Sequence, residues 1–94
     1  VSVEALIQVL ADTRALLARA SNDFAWSRWG SAEAAVAEID GIIGRIHAAD
    51  TIRLLELEAL YGPTSSLQEV AIESGWGDAF LMLASRFDAS IADL

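Results

Sequence analysis

The residues of this chain that could carry chemistry are few, and their spacing argues against most of what they could do. The single histidine, His47, stands three residues before Asp50. Imidazole and carboxylate at that spacing hold a metal only if further ligands join them. The position one turn back, where a helical site needs a glutamate, is Gly44. His47 is therefore expected to cap the C-terminal end of a helix, where a cation is favoured. Glu33, Glu38 and Asp40 are close in the chain, but their spacing fans them around a helix as a solvated face, not an acid–base pair. There is no cysteine, which removes thiolate ligands, cysteine nucleophiles and disulfides together. No serine has a histidine-and-acid context, and no glycine-rich phosphate loop occurs. The chain is expected to be non-enzymatic, with no metal and no cofactor.

What remains is the chemistry of recognition. Phe24, Trp26, Arg28 and Trp29 crowd into the break Ser21–Gly30, and Trp76 stands between Gly75 and Gly77. Large rings either close the ends of a small bundle or stay exposed as hot spots, where tryptophan, tyrosine and arginine are enriched. Trp26 and Trp29 are placed to stack on one face of a short turn, and Arg28 between them makes this loop the better candidate. The expected contact surface joins the loop Phe24–Trp29 to the connection Pro63–Gly77, including Trp76 and the acidic neighbours Glu69, Glu73 and Asp78. Glu69 and Glu73, one turn apart, repel each other, a cost that a basic partner would remove.

Behind these residues stands one helical domain over 1–94. Its 94 residues support a single core, and a hydrophobic fraction of 54% supplies it. Fourteen acidic residues against six arginines, with no lysine, give a net charge of −8. Such a surface repels phosphate and anionic lipid and steers basic partners toward itself; it also serves solubility. The eighteen alanines reflect composition bias. Val1–Leu10 has no basic region and no small-residue cleavage site, so no secretory leader is expected. Apolar runs such as Ala79–Ala84 fall far short of the ~20 residues that cross a bilayer. A cytoplasmic location is expected.

Periodicity predicts an all-α fold, a compact antiparallel bundle of four to five short helices. The first runs from Val3 to Ala20, capped by Ser2, with Val3, Leu6, Leu10, Leu17 and Ala20 inward and Ile7 beside them. The second runs from Ser31 to Ala48 on a seam of Val36, Ile39, Ile43 and Ile46, with Gly41 and Gly44 admitting a close neighbour. Asp50 caps the third, Thr51–Tyr61, which is apolar on most of its circumference and should be central. Gly62, as a left-handed residue, and Pro63 stop it. A capping box of Ser66 and Glu69, or of Ser65 and Gln68, opens the fourth, Leu67–Ser74. Gly75 ends it in a Schellman turn that folds Trp76 back near Ala71. Asp78 caps the fifth, Ala79–Asp93, whose stripe is Phe80, Ala84, Phe87, Ile91 and Leu94, with Leu81, Met82 and Leu83 as a surplus apolar row.

Ser66-Leu67-Gln68-Glu69-Val70-Ala71 leading to Gly75-Trp76 resembles the helix-turn-helix half of AraC-type regulators, over about a quarter of the chain. The resemblance implies DNA binding through the second helix. That helix departs from the pattern: it holds one basic residue, Arg86, against Asp88 and Asp93, and a reading helix needs cations for phosphates. Nucleic acid and membrane are therefore not expected as partners. The expected function is an acidic protein-interaction module that masks a basic partner, in the manner of an immunity-type inhibitor, or that self-associates as a homodimer. The alternative is a small-ligand or regulatory domain with a degenerate helix-turn-helix at 66–87.

Overall fold

A computed structural model describes residues 2–48 and 53–92, and it is all-α. Five helices follow one another: α1 (Ser2–Leu17), α2 (Ala32–His47), α3 (Leu54–Tyr61), α4 (Ser66–Ser74) and α5 (Gly77–Ile91). The centre is α1, which packs against α2 on one side and α5 on the other. The apolar third helix is not central. It buries Leu57, Leu60 and Tyr61 but leaves Leu55 83% exposed, because it lies at the edge against α4 and α5.

Helix α1 stops at Leu17, short of the expected Ala20. Asn22 donates its side-chain amide to the carbonyls of Leu16 and Leu17 (2.7 and 3.1 Å), satisfying acceptors that further helix would otherwise have used. Ser2, expected as the cap, is its first residue. The buried side is Leu6, Val9, Leu10, Thr13 and Leu17; Val3 and Ile7 are half-buried and Ala20 is exposed. Ser31 caps α2 by accepting the Ala34 N–H. Its buried line is Ala35, Ile39 and Ile42, with Val36, Ile43 and Ile46 only partly covered. The expected seam is thus rotated toward Ala35 and Ile42. Gly41 and Gly44 admit no neighbour. A Cβ at Gly44 would meet nothing within 4 Å, and one at Gly41 would meet only the Arg45 guanidinium at 3.8 Å.

The stop after α3 works differently from the expected left-handed glycine. Gly62 is extended (φ −79°, ψ 168°), and Thr64 takes the left-handed conformation instead (φ 65°). Glycine relieves crowding at 62, because a Cβ there would lie a tight 3.0 Å from the Glu58 carbonyl oxygen. The Ser65–Gln68 pair opens α4: Ser65 Oγ accepts the Gln68 N–H, and Gln68 Oε1 accepts the Thr64 N–H. The other end is the expected Schellman turn. Gly75 has φ 85°, its N–H reaches Ile72 O at 3.3 Å, and the Trp76 N–H reaches Ala71 O at 2.8 Å.

Asp78 does not cap α5. The helix begins at Gly77, two residues before the expected Ala79, with Trp76 at the cap position, and Asp78 sits in the first turn, where the dipole still favours its charge. The buried stripe is Phe80, Leu83, Phe87 and Ser90; Ala84 and Ile91 are partial, and Leu81 and Met82 are exposed. Tyr61 stacks on Phe87 (centroids 4.7 Å apart), and its hydroxyl lies 2.6 Å from Thr13 Oγ1, which donates to the Val9 carbonyl. Ion pairs tie the helices at the surface: Arg14–Asp40, Arg86–Asp12 and Arg45–Glu56. Being exposed and screened by water, these pairs add little to stability. The expectations for Asp50, Thr51, Ile52, Asp93 and Leu94 lie outside the described residues.

Candidate functional site

The segment between α1 and α2 is laid along α4 and held there by hydrogen bonds at both ends. At the C-terminal end of α4, Trp76 Nε1 donates to Asn22 Oδ1 (2.9 Å) and the Asp23 N–H donates to Ser74 Oγ (2.9 Å). At its N-terminal end, the Arg28 N–H donates to Ser66 Oγ (3.0 Å). The loop therefore runs antiparallel to α4 over most of its ~12 Å length. Ser27 stiffens it by donating to the Phe24 carbonyl (3.0 Å), and Asp23 does so by accepting the Ala25 N–H (2.9 Å). This is how the structure joins two segments that lie some 40 residues apart in the chain.

The expected contact residues divide in two. Trp76 is buried, 6% exposed, and its ring belongs to the core, so it offers no surface. Phe24 and Trp29 are partly buried and pack against that core. Trp26, midway between the pinned residues Asp23 and Arg28, is 76% exposed. Trp26 and Trp29 thus sit in different environments rather than on one shared face. Arg28 belongs with Trp29: its guanidinium lies 5.0 Å from the ring centroid and forks onto Glu38 through two hydrogen bonds (2.7 and 2.5 Å). That fork holds the Glu38 carboxyl below the usual carboxylate range and raises Arg28. The Trp29 indole Nε1 is buried without a hydrogen-bond partner.

On α4, Ser66 and Ser74 hydrogen-bond the loop, while Leu67, Val70 and Ala71 are buried. Helical geometry puts Glu69 and Glu73 in the next row outward, and Ile72 beyond them. Glu73 is exposed, Glu69 half-buried, and Ile72 57% exposed. Ile72 leans toward α5, its Cγ1 4.0 Å from where a Cβ on Gly77 would be. One turn further along α5 comes Leu81, 62% exposed, with Met82 beside it and Asp78 in the turn before. The outward face of α4 is therefore a carboxylate row with Trp26 on one flank and Ile72 and Leu81 on the other. Ile72 escapes a reading by sequence because it stands within the apolar run Val70–Ala71–Ile72, and only the packing shows which member faces out.

Ion pairs neutralise only part of the charge: among the described residues Glu4, Asp23, Glu33, Glu58 and Arg19 take part in none. Arg14, Arg28, Arg45, Arg53 and Arg86 each meet a carboxylate within 4.0 Å. Among the described residues, Glu69, Glu73, Asp78 and Asp88 take part in no ion pair, and Arg86, the one cation of α4 and α5, faces Asp12 at 2.8 Å. Among the described residues no three His, Asp or Glu side chains gather as metal ligands, and no helix is long and apolar enough to cross a membrane. His47 is exposed at the end of α2. Comparison with known proteins found no matching family model, no similar curated protein and no similar solved structure.

Proposed function

We propose that this chain is a non-enzymatic interaction module that holds a basic protein partner on the outward face of α4. One observation carries the reading: the unpaired Glu69–Glu73 row, bounded by exposed Trp26 and by exposed Ile72 and Leu81. Carboxylates without internal partners attract cations at long range, and apolar flanks supply the contact that outlasts salt screening. A second copy of the chain fits this face poorly, because a two-fold contact would set one carboxylate row against another. Double-helical nucleic acid fits worse, since the exposed side of α5 offers Asp78, Asp88, Leu81 and Met82 to a phosphate backbone.

The test is an NMR titration of the isotopically labelled chain with a short amphipathic peptide of leucine and lysine. Shifts should concentrate at residues 23–28, 69–73 and 77–82 and weaken as salt rises. Glu69→Gln with Glu73→Gln should lower affinity about tenfold or more, as losing two close charge pairs would. Shifts scattered over the surface, or affinity unchanged in the double variant, would refute the reading. Sedimentation equilibrium covers the self-association form: a dimer at micromolar concentration would replace the basic partner with a second copy.

A further inference from the structure

The segment between α1 and α2 is fixed at its two ends and only lightly attached between them. Asn22 is its root: the side chain donates to the Leu16 and Leu17 carbonyls and accepts the Trp76 indole N–H, tying the end of α1 to the core. At the far end Gly30 turns the chain at φ 71° into Ser31, the cap of α2. From Asp23 to Trp29 no residue belongs to a helix. Among the described residues, no backbone–backbone hydrogen bond joins this stretch to another element. Its main chain is held on α4 by two serine hydroxyls, Ser74 on the Asp23 N–H and Ser66 on the Arg28 N–H, both at exposed positions.

The side chains add little to that hold. The Arg28–Glu38 fork is a surface pair, screened by solvent. Phe24 and Trp29 pack against the core but are only partly buried. The buried Trp29 Nε1 has no hydrogen-bond partner, a donor that water would satisfy if the stretch lifted. There is also slack. The chain from Asp23 to Arg28 can reach about 17 Å when extended, whereas the helix from Ser66 to Ser74 covers about 12 Å. Exposed hydrogen bonds, shallow burial and spare chain mark a unit that opens at lower free energy than the fold around it. Trp26 rides near its middle, 76% exposed. We propose that Asp23–Trp29 is a strap that lifts from α4 as one unit while the five helices stay packed, carrying Trp26 away from the carboxylate row, and that a basic partner seated on that row and on Trp26 holds it shut. The second half rests on the function proposed above; the first does not.

Native-state amide exchange in low urea tests the strap on the unaltered chain. The Asp23 and Arg28 amides should share one opening constant. They should exchange at least about 100-fold faster than amides inside α1 and α5, such as those of Leu10 and Phe87, and depend less on urea. The Trp76 indole N–H, held by the root, should stay with the slow group. Ser66→Ala removes the pin at Arg28 and should speed exchange at Asp23, the other end, by about fivefold. Asp23 and Arg28 exchanging only with the core, or Asp23 unmoved by Ser66→Ala, would overturn the strap. With the leucine–lysine peptide at saturation, both amides should slow at least about tenfold. A peptide that binds without slowing them refutes the coupling. A peptide that does not bind refutes the basic-partner reading and the coupling with it, while exchange in the free chain still decides the strap.

Discussion

The sharpest consequence of the core concerns Tyr61 above neutral pH. Its ring is stacked on Phe87, its hydroxyl meets Thr13 in the interior, and it is 5% exposed. Burial pushes the phenol up from 10.0 to about 12, against a smaller opposing effect from the Thr13 hydrogen bond. A raised acid constant means the folded state holds its proton where the unfolded chain has lost it. The contribution to stability is therefore complete below pH 10 and disappears as pH rises through about 12. At about 1.4 kcal/mol per pH unit, the gap amounts to about 3 kcal/mol, a large share of the total for a domain of this size. The chain suits the measurement unusually well: it has one tyrosine, no lysine and no cysteine, so no other side chain titrates in that window. Tyrosinate absorbance near 295 nm should show a midpoint near 12 in the native protein and near 10 in urea. Urea unfolding should show stability flat to about pH 10 and then falling. Tyr61→Phe should abolish the fall while costing about 1 kcal/mol at neutral pH for the lost hydrogen bond. A native midpoint near 10 with undiminished stability would mean the phenol reaches water, and the packing of α3 on α5 would be wrong.

Two further outcomes test other parts of the fold. Gly44→Ala and Gly41→Ala should each stabilise by about 1 kcal/mol, raising Tm by several degrees, because each Cβ finds open or ordinary space in a helix interior. Gly75→Ala should instead lose about 1 kcal/mol or more, since its φ of 85° strains any side-chain-bearing residue; a reversal of either sign, read by thermal unfolding, would refute the backbone geometry there. The Arg28–Glu38 fork should stabilise above the unfolded carboxyl's acid constant and lose that stability as pH falls through the lower folded value. Glu38→Gln should therefore flatten the acid limb of the stability profile, and an unaltered limb would show that the fork contributes nothing.

Much of the fold was legible because its signals are local. The Schellman turn at Gly75–Trp76 needs only a glycine free to adopt positive φ and an apolar residue after it, and both stand side by side. The Ser65–Gln68 pairing competes with Ser66–Glu69 at equal spacing. Contact between the loop and α4 decides between them, because Ser66 is taken by the Arg28 N–H. The same kind of long-range contact explains the misplaced end of α1. Nothing near Leu17 announces a stop, and Asn22, itself held by Trp76, supplies it. Of the contact residues, loop and α4 could be paired by composition and Trp76 turned inward by the Schellman ending, but not the partial burial of Phe24 and Trp29.

Helix content, the apolar stripe of each helix to within a rotation, the net charge and the poverty of catalytic groups all follow from residue order, because they depend on neighbours within a turn or on simple addition. Which helix is central, which of Leu55, Ile72, Leu81 and Leu83 meets water, and which carboxylates lack a cation depend on contacts across tens of residues. Those were decided when α1 took the middle, the loop closed over α4, and five arginines found acids.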